Sequence, residues 1–405
     1  MNVSDNKPRS RNENAPPPAR VAFLITELAP GGAEKALVQL ALGLDRKRFI
    51  PVVYTMSGRE KDRERSLVPI LQSAGIETVE LGIKSAFDLP RAFLKLRGFL
   101  KKQRPDVLQT FMFHANLFGR FVARASCSPV VCAGVRVAER DSRLRLFLDR
   151  ATGSLVDVWV CVGKAVADFS REVARLPAEK IVSIPNGVRL KNTSRGIRVA
   201  TAADETFPEA SRPVPPNPFG KRKRAIAVGR LTRQKGFDWL LENARKWLTP
   251  ERAKEWELWI VGDGEERENL ALTTRRLGLE NDVYFAGWRA DISELLDESE
   301  LFLLPSRWEG SPNALLEAAA MAKPALCARV EGVEEILGDA SRIQSCALND
   351  SDSWARRARA LMEDEALRRD LGLQNQRRVL AEFTTERVVE RYSDLWSRLI
   401  ERKNQ

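Results

Sequence analysis

The chain has 405 residues, 43% of them hydrophobic and 30% charged, with a formal net charge of +11. That length exceeds one ordinary α/β core and predicts two domains. No apolar stretch approaches the ~18 residues of a membrane span. The five cysteines, odd in number and without metal-ligand spacing, fit reduced thiols in a cytoplasmic protein.

Residues 1–19 are polar, contain prolines at 16–18 and lack the apolar core of a secretion signal, so they read as a disordered tail. From residue 20 apolar runs at 21–25, 52–55, 107–110, 130–132 and 158–162 read as buried strands. Helical patterns such as 33–44 and 89–102 lie between them, and this alternation predicts a parallel sheet with helices on both faces. Gly31 and Gly32 follow the first strand and open a helix, where they either cradle an anion or turn the chain. The full dinucleotide fingerprint is missing, so NAD is not indicated and no cofactor is expected. His114, the only histidine, falls at a strand–helix junction that suits a structural or a functional residue. Arg136, Glu139, Arg140, Arg143, Arg145 and Arg150 form a basic stretch interleaved with leucines. It reads as a partly solvated helix or as a patch for an anionic acceptor or membrane surface.

Residues 191–221, polar and proline-rich, read as a linker between a first domain at 20–190 and a second at 222–383. The second alternation has strands at 225–228, 258–261, 283–285, 301–304 and 325–327. Arg230 follows its first strand and Lys235 lies one loop later, two cations that suit a diphosphate at the carboxyl edge of an open sheet. Gly262, Asp263 and Gly264 follow the next strand and fit either a tight turn or close approach to a ligand. Arg289 follows the third. After the fourth, Ser306-Arg307-Trp308-Glu309-Gly310-Ser311-Pro312-Asn313-Ala314-Leu315-Leu316-Glu317 places two carboxylates around a predicted helix mouth, with Ser311 as N-cap and Pro312 at the first helical position. Free backbone N–H groups there make an anion site, and carboxylates accept from hydroxyls, so a sugar–diphosphate–ribose fits. Asp350 and Asp352 read as an N-cap region rather than a metal pair. Residues 384–405 read as one amphipathic helix.

The acid–seven residues–acid segment resembles the motif of retaining glycosyltransferase family 4, and the resemblance runs from about residue 20 to 396. It implies a GT-B fold, two Rossmann-like domains facing across a cleft, with the terminal helix crossing back to the first domain. It implies transfer of a sugar from a nucleotide-diphosphate sugar, a UDP- or GDP-sugar, to a glycan or lipid-linked acceptor in cell-surface polysaccharide or glycolipid biosynthesis, without metal. Glu309, His114, Arg230 and Lys235 would then be catalytic. Gly31, Gly32, Gly262, Asp263, Gly264, Arg289, Ser311, Pro312, Asn313, Ala314, Leu315 and Glu317 would hold the donor, and Arg136, Glu139 and Arg140 the acceptor. Gln109 and Phe111 stand where relatives often carry histidine, which leaves His114 as the candidate. A non-catalytic nucleotide-sugar binder and a sugar-phosphate synthase are the alternatives on this fold.

Charge is divided between the halves: residues 20–190 hold 28 Lys and Arg against 17 Asp and Glu, residues 222–383 hold 25 against 29. The first half is expected to face something anionic, foremost the inner surface of the cell membrane. Nucleic acid is disfavoured, because the ligand-facing loops carry carboxylates.

Overall fold

A computed structural model of the chain describes residues 17–57, 66–140, 142–193, 196–200 and 218–405. The 1–19 tail and the 201–217 part of the linker therefore lie almost wholly outside the described residues.

The first half alternates strands and helices: β1 (Ala19–Ile25), α1 (Gly32–Gly43), β2 (Phe49–Ser57), α2 (Val68–Ser73), β3 (Glu77–Ile83), α3 (Leu89–Gln103), β4 (Val107–Phe111), α4 (Phe113–Arg124), β5 (Val130–Val135), α5 (Arg143–Ala151), β6 (Val158–Cys161), α6 (Lys164–Glu172) and β7 (Ile181–Ser183). The strands form one parallel sheet in the order β3-β2-β1-β4-β5-β6-β7. The central strands are apolar on both faces because helices cover both, which is the reason they read as continuous hydrophobic runs.

The stretch expected to be an irregular linker opens differently. Leu190–Thr193 (β8) and Gly196–Val199 (β9) pair as an antiparallel hairpin. Its Val199 is buried in the core of the second half, so the segment is anchored at its start.

The second half repeats the pattern: β10 (Lys223–Val228), α7 (Phe237–Glu242), β11 (Trp256–Val261), α8 (Arg267–Arg276), β12 (Val283–Gly287), α9 (Ile292–Asp297), β13 (Leu301–Leu304), α10 (Asn313–Ala320), β14 (Ala325–Ala328), α11 (Val333–Leu337), α12 (Ser341–Gln344) and β15 (Ser345–Cys346). These strands are also parallel, in the order β12-β11-β10-β13-β14-β15. Helices α13 (Ser351–Glu363), α14 (Glu365–Glu382) and α15 (Thr385–Asn404) complete the chain. Asp350 caps α13 by accepting from the Ser353 N–H, as its position predicts.

Helix α15 leaves the second half and packs on the first. Val388, Val389, Tyr392, Leu395 and Trp396 join the core formed by β1, β2 and α1. The Trp396 ring meets the edges of Phe23 and Phe49 at centroid distances of 5.8 and 5.7 Å. All ten apolar runs read as strands fall on strands; among the described residues β3, β7, β15 and the β8–β9 hairpin are additional.

Candidate active site

In each sheet the strand order reverses beside its first strand, at β1/β4 and at β10/β13. Ligands of open α/β sheets sit in the crevice at the carboxyl ends of such strands. The loops after β1, β10 and β13 therefore define the candidate site.

Glu309 lies on the loop after β13 and is only 6% exposed. Its Oε1 accepts from Lys235 Nζ at 2.6 Å and from Ser306 Oγ at 2.7 Å. Two loops distant in sequence are zipped to make this pair. Arg307 N–H donates to the Gln234 carbonyl at 2.8 Å, Gln234 Nε2 to the Trp308 carbonyl at 2.9 Å, and Arg307 pairs with Asp238 at 2.7 Å. Gly236 closes the Lys235 turn with φ 68°, and a Cβ there would collide with the Pro305 carbonyl. Only glycine meets both demands. Ser306, Gln234 and Arg307 were not foreseen as partners; the signal was available only in the flanking of Glu309 and Lys235.

Helix α10 begins one residue later than predicted. Pro312, not Ser311, is the N-cap, in extended backbone, and no side chain caps the helix. The Ser311 carbonyl instead accepts from Asn186 Nδ2 of the first half at 3.0 Å. Asn313 bridges the halves: its Oδ1 accepts from Asn186 at 2.7 Å, and its Nδ2 donates to the Gly32 carbonyl at 3.1 Å. The helix mouth, Gly32 and Asn186 are thus brought together. Glu317, 9% exposed, lies 3.9 Å from Lys35 of α1. Leu315 points the other way, fully buried in the core, so only its backbone faces the site.

Arg230 stands exposed two residues past β10. Across the cleft, Glu34 occupies the first turn of α1 and is buried to 9% exposure. Burial pushes its carboxyl up from the ordinary value; its own backbone N–H and then the charge of Arg230 oppose this without cancelling it. Glu34 thus belongs to the site, although only its neighbours Gly31 and Gly32 were singled out. Its carboxylate folds directly over Gly31, where a Cβ would overlap it.

Gly262 and Gly264 have a structural reason. A Cβ at Gly262, φ 144°, would strike the Gly229 carbonyl, and one at Gly264 the Leu231 carbonyl. The loop after β11 is thereby pressed against the loop carrying Arg230. Asp263 Oδ1 accepts from the Gly264 N–H at 2.9 Å. The Arg289 guanidinium is bound by Asp291, Nε to Oδ1 at 2.7 Å, so its charge is compensated within its own loop.

His114 sits exposed in the first turn of α4, at the carboxyl edge of the first sheet, with its ring 5.5 Å from that of Phe113. Gln109 and Phe111 are core residues. Gln109 donates to the Thr110 and Cys132 carbonyls and accepts from Trp396 Nε1 at 3.4 Å. Phe111 lies under the Arg136 guanidinium at 5.4 Å.

The expected acceptor trio divides. Arg136 turns into the joint between the halves, hydrogen-bonded to Asn186, and burial pushes its guanidinium down from the ordinary value. Glu139 and Arg140 instead line an open cavity of about 990 Å³ between the halves. There Arg140 reaches Glu331 at 2.6 Å, and Glu139 holds Arg145 at 2.6 Å. Gly310 fixes the spacing above this cavity: a Cβ on it would collide with the Arg136 carbonyl.

Two family models match the chain: Glycosyltransferase Family 4 over residues 30–192 and Glycosyl transferases group 1 over residues 222–364. The lipopolysaccharide core biosynthesis glycosyltransferase LpsE of Rhizobium meliloti (strain 1021) is 25% identical over 366 residues, covering 90% of this chain and 95% of that protein. The UDP-Gal:alpha-D-GlcNAc-diphosphoundecaprenol alpha-1,3-galactosyltransferase of Escherichia coli is 25% identical over 297 residues, covering 68% and 71%. Among solved structures, Anabaena Alr3699/HepE in complex with UDP-glucose superposes with a TM-score of 0.76 at 18% identity, covering 93% of this chain and 99% of that one. Two Rossmann-like halves, the acid pair at the helix mouth and the matched families agree: the chain belongs to the family 4 glycosyltransferases, on the GT-B fold.

Proposed function

We propose that this glycosyltransferase moves a hexose from a UDP- or GDP-sugar to a lipid-linked or glycan acceptor, with retention of anomeric configuration and without a metal, in cell-surface polysaccharide or glycolipid biosynthesis. The observation that carries the reading is the Glu309–Lys235 pair, 2.6 Å apart at the mouth of α10. Lys235 and Arg230 would meet the donor diphosphate, and the free N–H groups of the helix mouth would share the negative charge that grows on departure of the nucleotide. This charge compensation is what supports a metal-free route. Glu309 has Oε1 occupied by Lys235 and Ser306, which leaves Oε2 to accept from donor-sugar hydroxyls. Glu317 would take the ribose, and Ser311, Pro312, Asn313, Ala314 and Leu315 would present backbone to the donor. Gly31, Gly32 and His114 would border the sugar from the first half, with Gly262, Asp263, Gly264 and Arg289 behind the nucleotide. Glu139 and Arg140 would meet the acceptor at the mouth of the cavity, with Arg136 behind them.

The E. coli relative is named for UDP-Gal and a diphosphoundecaprenol acceptor, and HepE holds UDP-glucose. Both support a nucleotide-sugar donor for this chain, and the E. coli relative alone supports a lipid-linked acceptor. The basic first domain would keep the enzyme on the cytoplasmic face of the membrane. Among the described residues, no helix is long and apolar enough to cross it.

The test is a thermal-shift screen of UDP-, GDP-, ADP- and TDP-sugars, followed by transfer to a sugar-diphosphoundecaprenol acceptor and NMR of the product anomer. One nucleotide should raise the midpoint by mass action, and transfer should survive EDTA. Binding without turnover on any acceptor would support a non-catalytic binder instead. An inverted anomer would overturn retention.

A further inference from the structure

The first domain carries an apolar patch that the described chain leaves uncovered. Phe87 is 94% exposed, Leu94 65% and Phe121 44%. Phe87 tips the single turn Ala86–Asp88 ahead of α3, Leu94 lies on α3 and Phe121 on α4. Between the two helices runs a shallow groove of about 740 Å³, floored by the Phe93 and Phe118 rings in edge contact at 6.3 Å.

Folding does not require Leu94. Helix α3 buries Ala92, Leu96 and Leu100 at helical spacing, and Leu94 is on the opposite stripe with Arg91 and Lys95. The two helices that carry the patch hold charge of one sign. Neither α3 nor α4 contains Asp or Glu, while α3 carries Arg91, Lys95, Arg97, Lys101 and Lys102. Asp88, at the border, is taken up by the N–H groups of Lys84 and Ser85. Apolar side chains at the centre of a lysine-rich field are unlike a protein interface, where lysine is depleted. They match a bilayer surface, whose headgroups take cations and whose acyl boundary takes phenylalanine and leucine.

We propose that the α3–α4 face docks on an anionic lipid bilayer, with Phe87, Leu94 and Phe121 inserted at the acyl boundary and Arg91 and Lys95 among the headgroups. This relocates the contact expected on the 143–150 stretch. There Arg145 is neutralised by the Glu139 carboxylate, whereas Lys95 on α3 meets a backbone carbonyl, that of Glu80 at 2.6 Å, which leaves its charge in place. Helix α5 lies beside α4 and extends the face with exposed Leu144 and Phe147. The inference deepens the lipid-linked acceptor reading and rests on it for its purpose, but docking is measured without donor or acceptor.

The test is co-sedimentation of the full chain with phosphatidylglycerol vesicles and with phosphatidylcholine vesicles across a salt series. The wild type should prefer phosphatidylglycerol, weaken as salt rises and keep a salt-resistant remainder from the inserted side chains. F87S/L94S/F121S should lower partitioning at least about tenfold with an unchanged unfolding midpoint. R91E/K95E should abolish the preference for phosphatidylglycerol. Wild-type partitioning by F87S/L94S/F121S, equal sedimentation of the wild type with both lipids, or none with either, would each overturn the proposal. A wild-type dimer that this triple variant converts to a monomer, without change in vesicle binding, would make a second copy the occupant. Loss of sugar transfer with docking intact would count against the functional reading alone.

Discussion

Glu309 is anchored by one carboxylate oxygen and offers the other. Ser306 is fully buried and does nothing evident except hold that oxygen, which makes it a positioning residue. Ser306→Ala is expected to lower affinity for the intact nucleotide sugar and turnover, leave affinity for the bare nucleoside diphosphate near wild type, and be rescued by Ser306→Thr. Equal loss for sugar and diphosphate in titration calorimetry would refute this. Arg230→Ala, Lys235→Ala and Glu317→Ala should instead weaken the nucleoside diphosphate itself, by about 2–4 kcal/mol each. Unchanged nucleotide affinity in all three would refute the donor site. Glu34 gives a pH signature. Its folded value is raised by burial, so the native state binds the proton more tightly than the unfolded chain. Its contribution is most favourable below the unfolded value near 4.5 and is lost as pH rises through the folded one. Glu34→Gln should therefore raise the unfolding midpoint at neutral pH, with the gap closing as pH falls below about 4.5.

At the scale of elements, the site is built by glycines that let loops touch. Gly310→Ala should push the α10 mouth off the Arg136 carbonyl and lower transfer at least about tenfold, a loss of about 1.4 kcal/mol in transition-state binding. Its circular dichroism should remain that of the wild type; wild-type activity would show that the approach is not needed. Continuous apolar runs made ten strands legible: nine are central, where burial on both faces leaves no alternation to misread, and the tenth, the edge strand β12, shows itself by its short apolar run Val283-Tyr284-Phe285. Strand β3, Glu77–Ile83, escaped because it is an edge strand, half-exposed and mixed in composition. The carboxylates and cations around the site were legible because each follows a strand. Their partners were not: Lys235 and Glu309 are 74 residues apart, and nothing local states that their loops zip together. The same limit explains Arg289, which looks like a free cation until Asp291 is seen to bind both sides of its fork. Arg136 likewise belongs by sequence to a basic run and in space to a joint.

For the whole molecule, the halves meet through a few polar bridges and one apolar helix. Asn186, Asn313, the Arg140–Glu331 pair and the Lys164 N–H on Glu335 span the cleft. These polar contacts suit a cleft that opens and closes around a donor. Helix α15 is a different kind of contact. Trp396 is fully buried against Phe23 and Phe49, so Trp396→Ala should cost about 3–5 kcal/mol in denaturant unfolding. A loss below about 1 kcal/mol would mean that the helix adds little to the first core. The same helix reverses the order in which the molecule can be finished on the ribosome. Residues 20–190 emerge first, yet the side chains that close their core are within the last twenty or so positions of 405. At about 5–20 residues per second, the first domain waits roughly 10–40 s for its own lid, while the second domain, whose core lies within one stretch, can settle at once. Nascent chains stalled before residue 384 should therefore show a protease-sensitive first domain beside a resistant second one, and the half made first would be the half completed last.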